Sequence, residues 1–444
     1  MSAFKQKLAR LGVSAGVLAG TTAAVLAIGG VTAGSALAAP TCPSKTTTVA
    51  GKGSSLQKVA QENWTSGYNA KCATGPVVKY TSTGSGPGLA AFRFTGSGAI
   101  DTTQGFIGTD DGPSTEQIEN AEAATEGGKA TGANPIIIPV AETSIAVAAN
   151  VPSGCVITGG ITWSDLNKLF NGTITTWAGL ETDNGNAACN AAITRVVRSE
   201  GSGTTYQFKN YLSTLETTAG ILAAGPGCGL GTWAALEKVG AEEKPNITWP
   251  ENGTGTCTTL SPVHRAAGGG AVAEYVAANV NTVGYASLPD VKAKGATAIS
   301  LENSVVEGVK KYGAPGKEEE EGKKKLSNCG TRVYTVPAAG RTGTGTGESV
   351  DWSQVFGASP KVGGILYPLC TLTYDVGWSS YAKAGYSTAA TATKEVVADY
   401  LGNYVAAAEG EAVDLAHWYQ PVPTTAEAEH NVKGAAVLAI SKLG

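Results

Sequence analysis

The chain has 444 residues, of which 15% are charged, so its length allows roughly two or three domains with ample core. Its 60 glycines indicate many turns and polar loops, without the charge that marks a disordered chain. The formal net charge of −4 gives no electrostatic footprint for nucleic acid, and we expect no nucleic-acid partner.

The N-terminus has the pattern of a secretory leader. Lys5, Lys7 and Arg10 precede an uncharged Ala/Val/Leu/Gly stretch that ends in the small-residue sequence Ala-Leu-Ala-Ala at 36–39. An uncleaved membrane anchor is the alternative, because the stretch is long enough to span a bilayer. Without these three residues the 32 basic residues become 29 against 36 acidic ones, a formal charge of −7. We predict a cleaved leader over 1–39 and an exported protein, periplasmic or extracellular and associated with the cell envelope.

After the leader, apolar runs alternate with helical stretches, which indicates α/β layers with a mainly parallel sheet. The runs rich in β-branched residues, which predict strands, are 46–50, 77–81, 136–140, 144–148 and 193–197. The helical stretches are 56–65, 163–170, 205–212, 270–279 and 393–408. We interpret two segments, 302–325 and 340–347, as additions to the fold. The first carries charges of both signs that could pair within a hairpin or a helix, which favours a solvated excursion over a docking patch.

All eight cysteines follow the predicted cleavage site, and an even number in an exported chain predicts four disulfides. Eight cysteines allow about a hundred pairings, so the sequence leaves the connectivity open. Sequential pairing would staple one local segment with each bond and gives our expected pairs: Cys42–Cys72, Cys155–Cys189, Cys228–Cys257 and Cys329–Cys370. We expect no metal, because no histidine stands at zinc-ligand spacing from a cysteine pair.

One arrangement occurs three times: an apolar strand enters a Gly/Ser/Thr loop, and the loop enters a helix. The loops begin at Gly51, at Ser82 and at Arg198. A helix that starts this way presents unpaired backbone N–H groups and about half a positive charge, and its glycines allow a ligand close to the backbone. Each loop alone is more often an ordinary strand-to-helix turn. Three of them together favour an oxyanion site.

Other charged residues support that interpretation. Arg198 opens the third loop, and a guanidinium can donate two hydrogen bonds to a tetrahedral anion. Asp110 and Asp111 follow the run 105–108, which places acids at the end of another predicted strand. The sequence contains neither a P-loop string nor a GxSxG string, and His264 has no nucleophile paired with it by motif. A secreted hydrolase is therefore disfavoured, and we expect no catalysis and no cofactor.

The string Arg198-Ser199-Glu200-Gly201-Ser202-Gly203-Thr204-Thr205, followed by Phe208 and Tyr211, resembles the signature of PstS-type phosphate-binding proteins of ABC transporters. The resemblance extends over most of the chain after the leader and is weakest from 302 to 347. Its further matches are individually weak and lie at 51–56, 84–86, 108–113, 163–177 and 283–286.

The resemblance implies a periplasmic-binding-protein fold of the second type, with two α/β lobes joined by two crossover strands. The first lobe would combine 40–141 with 290–444, including the charged insertion at about 302–325, and the second lobe would be 142–289. The crossovers would lie near 140–144 and 286–289. The phosphate-binding residues it implies are Ser55, Leu56 through its backbone N–H, Ser85, Asp111, Arg198, Glu200, Ser202, Gly203 and Thr204.

Two residues depart from the family pattern. Glu200 stands where an aspartate is usual, which puts the shape of the pocket or the importance of that acid in doubt. Leu56 stands where many relatives have an aromatic residue, but the expected contact there is a backbone N–H.

The function implied is capture of inorganic phosphate between the lobes by a monomer that delivers it to the ABC-transporter permease in the membrane. Two alternatives remain open. The protein could bind another tetrahedral oxyanion, such as sulfate or molybdate. It could also be an exported surface or signalling protein that keeps the fold without transport.

Overall fold

The computed structural model describes residues 39–43, 47–218, 232–236, 238–239, 244–250, 263–319, 322–329, 334–342, 350–353, 355, 359, 361–387 and 389–444. The predicted leader, except Ala39, lies outside these ranges, as do Cys228 and Cys257. The part of the added loop from 343 to 347 lies outside them as well. Within the described ranges, no helix combines the length and apolar character needed to cross a membrane.

Strands and helices alternate along most of the described chain. The strands are β1 Thr48–Gly53, β2 Val77–Ser82, β3 Gln104–Thr109, β4 Pro135–Asn150, β5 Thr194–Arg198, β6 Lys238–Val239, β7 Lys244–Pro245, β8 Val263–Ala266, β9 Thr282–Ser287, β10 Thr297–Ala298, β11 Leu301–Val306, β12 Val309–Gly313, β13 Lys317–Glu319, β14 Lys324–Leu326, β15 Cys370–Trp378 and β16 Tyr419–Gln420. The helices are α1 Lys58–Lys71, α2 Ser85–Ala91, α3 Thr115–Ala123, α4 Gly128–Thr131, α5 Trp163–Phe170, α6 Gly203–Thr218, α7 Trp233–Leu236, α8 Gly269–Ala278, α9 Leu288–Ala293, α10 Ala338–Thr342, α11 Ala390–Tyr400, α12 Ala408–Ala416 and α13 Val432–Ile440.

A ten-stranded mixed sheet organises the fold, with eight strands in the order β2-β1-β3-β15-β4-β9-β5-β8 and β10 and β16 paired to β4. Pairing is parallel within β2-β1-β3 and within β9-β5-β8. It is antiparallel where β15 and β4 join these two groups. The α/β class is confirmed, and the expectation of a mainly parallel sheet holds within each group but is wrong at the centre. At the centre, β15 comes from the C-terminal part of the chain and runs antiparallel to β3 and β4, and β4 runs antiparallel to β9.

The long strand β4 connects the two parallel groups. Its residues up to Ser144 pair with β15, and from Ile145 onward they pair with β9. The sequence shows two apolar runs here, whereas the structure has one continuous strand, buried from Pro135 to Ala149. A fully buried strand has no alternation of apolar and polar residues to mark its limits. The change of partner falls at the end of the predicted crossover 140–144, and the lobe boundaries themselves remain a prediction.

Local sequence signals explain where several helices begin. Ser114 and Gln117 form a capping box that starts α3. The Thr162 side chain accepts a hydrogen bond from the backbone N–H of Asp165 and caps α5. The predicted helix over 393–408 is instead α11, a π-helical turn over Leu401–Val405 and then α12.

Three disulfides join described residues: Cys42–Cys72, Cys155–Cys189 and Cys329–Cys370. Each is a pair of the expected sequential set. Cys42–Cys72 ties the segment before β1 to the end of α1, and Cys329–Cys370 ties the chain after β14 to the start of β15. The expected pair Cys228–Cys257 lies outside the described residues.

The charged addition folds as two hairpins, β11–β12 and β13–β14. In the second hairpin Glu318 pairs with Lys325 and Glu319 pairs with Lys324, so opposite charges face each other across the strands. Of the two forms left open by the sequence, the hairpin is the one the chain adopts. The paired residues are exposed or half-buried, so each pair contributes at most about 1 kcal/mol.

Candidate functional site

The three predicted loops meet at one place. The second and third loops touch directly, because the Gly86 N–H donates to the Gly201 carbonyl oxygen at 3.0 Å. Gly84 has φ +94°, and a Cβ there would lie 2.9 Å from Glu200 Cγ. Glycine is therefore required at this crossing, both for the backbone angle and for the close approach. The loops come from opposite parallel groups of the sheet, β2 in one case and β5 in the other.

In the first loop, two adjacent serines have different roles. Ser54 Oγ accepts the backbone N–H of Leu56 at 3.0 Å and that of Gln57 at 3.3 Å, so it holds the turn that leads into α1. Its hydroxyl donates to Asp110. Ser55 Oγ accepts the N–H of Gly269, the first residue of α8, at 3.1 Å. Thus the predicted donors Ser55 and Leu56 lie at the site, and both are bonded to neighbouring protein groups.

Asp110 is the acid at the centre of the loops. Ser54 and Thr373 (3.0 Å) donate their hydroxyls to Oδ1, while Ser85 (3.3 Å) and Thr204 (3.0 Å) donate to Oδ2. The side chain is 1% exposed. Its four donors come from all three loops and from β15, so this carboxylate links both parallel groups of the sheet.

Asp111 lies beside Asp110 but faces different neighbours. Its Oδ1 accepts the Thr109 hydroxyl at 2.7 Å, and its buried Oδ2 has no hydrogen-bond partner among the described residues. A Cβ on Gly203 would lie 2.5 Å from Asp111 Oδ1 and 2.6 Å from its backbone N. The first residue of α6 must therefore be glycine for the helix to approach this acid.

Arg198 and Glu200 form an ion pair at the end of β5, in which Arg198 is buried and the Glu200 side chain is 19% exposed. Arg198 is 1% exposed, and its Nε donates to Glu200 Oε1 at 2.7 Å. Arg198 Nη2 contacts the same oxygen, which also accepts the Gly268 N–H at 3.0 Å. Glu200 thus orients the guanidinium from within its own loop. Ser202 Oγ accepts the Thr205 N–H at 3.2 Å and so caps the first turn of α6.

A fourth loop of the same construction was missed by the sequence analysis. It is Ala267-Gly268, which leads from strand β8 into Gly269-Gly270 at the start of helix α8, and the amides of Gly268 and Gly269 reach Glu200 and Ser55. The strand–glycine–helix pattern that marks the other three loops is present here too, so the signal was available. Asp290 lies beside it: a Cβ on Gly269 would be 2.5 Å from Asp290 Oδ2.

Burial dominates the electrostatics of the acids. Loss of solvent raises the pKa of Asp111 to about 7, and the Thr109 hydrogen bond only partly opposes it. Burial also raises the pKa of Asp110, although the hydroxyls of Ser54, Thr204 and Thr373 and the charge of Arg198 act against the rise. The pKa of Asp290 is raised to about 6 for the same reason. The site therefore holds acids that can change protonation state near neutral pH.

The structure gathers every predicted binding residue around these loops: Ser55, Leu56, Ser85, Asp111, Arg198, Glu200, Ser202, Gly203 and Thr204. Their contact with phosphate remains a prediction. The structure also brings to this site five residues that the sequence did not single out as contacts: Ser54, Asp110, Thr373, Gly268 and Gly269. Among the described residues, one group has ligand atoms close enough for a metal, namely Glu427, Glu429 and His430. The two glutamates are exposed, an arrangement common without an ion, and we assign it no role.

Comparison with known proteins identifies the family. A sequence model described as the PBP superfamily domain matches residues 38–329. The phosphate-binding protein PstS of Xylella fastidiosa is 28% identical over 249 residues, which is 55% of this chain and 54% of that protein. The chain thus spans about half the length of the curated relatives it matches.

Solved structures share the fold. A phosphate-binding protein from Stenotrophomonas maltophilia has a TM-score of 0.55 and 18% identity, over 88% of this chain and 93% of that one. A high-affinity periplasmic phosphate-binding protein, PfluDING, bound with phosphate, has a TM-score of 0.56 and 19% identity, over 85% and 91%. These matches confirm the two-lobed fold of the second type and the resemblance to PstS-type proteins. Since the family match covers more than half of the chain, this protein belongs to the PBP superfamily.

Proposed function

We propose that this protein captures inorganic phosphate at the meeting point of the four loops and delivers it to an ABC-type importer. The observation that carries the proposal is that hydroxyls from all three predicted loops meet at Asp110, while the buried Arg198 and the amides of Gly268 and Gly269 lie in the same cluster of loops. Donors of these kinds suit a tetrahedral dianion, and they come from both parallel groups of the sheet. The named function of the PstS relatives supports the same ligand.

The carboxylates provide the selectivity in this proposal. An ionised carboxylate only accepts hydrogen bonds, and phosphate near neutral pH still has a proton to donate. Sulfate has none, so it would meet a buried like charge and an unpaired acceptor. Rejection by an unpaired buried group can reach a factor of about 10⁴. Asp111, whose buried Oδ2 has no hydrogen-bond partner among the described residues, and Glu200 are placed to exert it directly, whereas Asp110 acts by holding the donor loops together.

We further propose where the protein acts, in what oligomeric state and with which membrane partner. The protein acts outside the cytoplasm after export, works as a monomer, performs no catalysis and needs no cofactor. Its membrane partner is the permease of the importer. Support comes from the leader pattern, from the disulfides, which suit an oxidising compartment, and from relatives that are named as binding proteins rather than enzymes.

The direct test is calorimetric titration of the leader-free protein with phosphate, sulfate and arsenate. We expect tight binding of phosphate and far weaker binding of sulfate at neutral pH. Equal binding of sulfate would mean that the carboxylates do not face the ligand, and the phosphate assignment would be wrong. A folded protein that binds none of the three would favour a surface or signalling role.

Arg198→Ala should remove most phosphate affinity. Loss of a charge-assisted bidentate contact costs on the order of 3 kcal/mol, roughly a hundredfold in affinity. Arg198→Lys should recover little, because an ammonium lacks the planar fork. Arg93→Ala is the control, since its guanidinium donates to the nearby carbonyls of Thr95, Gly96 and Gly98 and to no other described residue. Wild-type affinity in a folded Arg198→Ala protein would show that the site lies elsewhere.

A further inference from the structure

Thr373 on β15 lies behind the loops, far along the chain from every residue of the predicted site. Its side chain is fully buried, and its Oγ1 is 3.0 Å from Asp110 Oδ1 and 3.1 Å from the Thr109 carbonyl oxygen. On its other side, Gln57 Nε2 is 2.7 Å from the same hydroxyl oxygen. Thr373 thus stands between the start of α1 and the central acid.

The direction of these hydrogen bonds is fixed. Gln57 Nε2 also lies 2.8 Å from the carbonyl oxygen of Tyr374, which can only accept, so the amide nitrogen must face this side. Gln57 therefore donates to Thr373 Oγ1. The single hydroxyl proton of Thr373 is left to point at Asp110 and the Thr109 carbonyl.

The chain of hydrogen bonds continues into the core. Gln61 Nε2 donates to Gln57 Oε1 at 3.0 Å and to Asp375 at 2.9 Å and 3.1 Å. Tyr400 donates its hydroxyl to Gln61 Oε1 at 2.8 Å, which holds that amide in the matching orientation. All of these side chains are buried, and hydrogen bonds in series strengthen one another in a low-dielectric interior.

We infer that Thr373 is a positioning residue for the binding site, oriented by Gln57 and Gln61 so that its hydroxyl holds Asp110 where the loops meet. The inference rests on the proposed function for its binding readout. A threonine that served only to pack the core would not need a hydroxyl proton held towards Asp110 or a hydrogen bond to that carboxylate.

Several charged or titratable groups surround Asp110: Arg198 from β5, Asp111 from the same loop, Tyr80 from β2, Tyr374 from β15 and Tyr419 from β16. Thr373 supplies a neutral donor among them. Donation to a carboxylate favours its ionised form, so loss of the hydroxyl should make Asp110 easier to protonate. Thr373 would thereby affect both the affinity for the anion and its pH dependence.

The test compares Thr373→Val with Thr371→Val in the full protein without its leader. Thr371 lies on the same strand, is 1% exposed and donates its hydroxyl to the Leu372 carbonyl at 2.8 Å, away from Asp110. Thr373→Val should weaken phosphate binding by on the order of tenfold, since one hydrogen bond to a charged group is lost. It should also narrow the preference over sulfate and move the acid limit of binding to higher pH. Thr373→Ser should restore all three properties, and Thr371→Val should change none.

A second readout needs no phosphate. The side-chain carboxyl ¹³C resonance of Asp110, followed with pH in aspartate-labelled protein, should titrate at higher pH in Thr373→Val than in Thr371→Val. If the two variants titrate alike, Thr373 is a packing residue and the inference is wrong. If wild type binds no phosphate yet the titrations differ, the positioning role stands and the proposed function fails.

Discussion

At the scale of single residues, the acids 110 and 111 show how neighbours in one loop take different roles. Asp110 accepts four hydroxyls, whereas Asp111 accepts the Thr109 hydroxyl and lies against Gly203. The motif match favours Asp111, and the hydrogen bonds favour Asp110 as the acid that connects the loops. The carboxylate that faces the anion is the one whose loss should change selectivity.

We expect Asp110→Asn to reduce phosphate affinity more than Asp111→Asn. An amide in place of Asp110 turns one hydrogen-bond acceptor into a donor that faces hydroxyls already donating, and removes the charge they stabilise. The loss should be on the order of a hundredfold, with a smaller gap between phosphate and sulfate. Competition binding at neutral pH measures both. A larger loss of selectivity in Asp111→Asn would instead support the assignment made from the motif.

At the scale of elements, the site depends on how closely α6 approaches the loop after β3. The helix begins at Gly203, where the backbone lies against Asp111 with no room for a side chain. Its first-turn residue Thr204 then reaches Asp110. Helix α8 begins similarly, and its Gly269 N–H reaches Ser55 from the other parallel group. Two helix N-termini of one group are thus held against loops of the other.

Gly203→Ala should separate α6 from Asp111. The new Cβ would lie 2.6 Å from a backbone nitrogen, which cannot move like the end of a flexible side chain. We expect phosphate affinity to fall by at least about tenfold, with little change in helix content by circular dichroism. Gly270→Ala is the matched control in the first turn of α8, where the nearest atom to a Cβ is Asp290 Oδ1 at 3.4 Å. Equal effects in the two variants would contradict this explanation.

At the scale of the whole molecule, several fully buried acids make stability depend on pH. Burial raises the pKa of Asp111 to about 7, of Asp290 to about 6 and of Asp375 to about 8. In the unfolded chain an aspartate titrates near pH ~3.9. At pH values between the unfolded-state pKa and these native-state pKa values, the native state therefore binds more protons than the unfolded chain. Its free energy of unfolding should fall as pH rises from about 4 to about 8 and level off above that.

Asp375→Asn should reduce this fall. The neutral amide can still accept the Gln61 N–H, and it removes one group that contributes at most about 1.4 kcal/mol per pH unit. We expect wild type to lose more stability than the variant between about pH 5 and about pH 8, measured by urea unfolding without ligand. Parallel curves for the two proteins would mean that Asp375 does not carry a raised pKa.

Four features could be predicted from the sequence: the alternating α/β plan, the three glycine-containing loops, Arg198 at the start of the third loop and the resemblance to PstS-type proteins. These are local features: strand and helix periodicity, glycine before a helix and a contiguous string are visible within short windows. The hairpin form of the charged addition was one of two local possibilities, and the structure decided between them.

Long-range packing determines which side chains meet. Ser54 rather than Ser55 bonds Asp110, because adjacent residues in a loop point in different directions and a motif does not record that direction. Thr373 reaches the site because β15 pairs antiparallel with β3, a pairing between distant parts of the chain. Gly269 reaches Ser55 because β4 joins the two parallel groups of the sheet. Long-range strand pairing sets these contacts, so they cannot be derived from local sequence patterns.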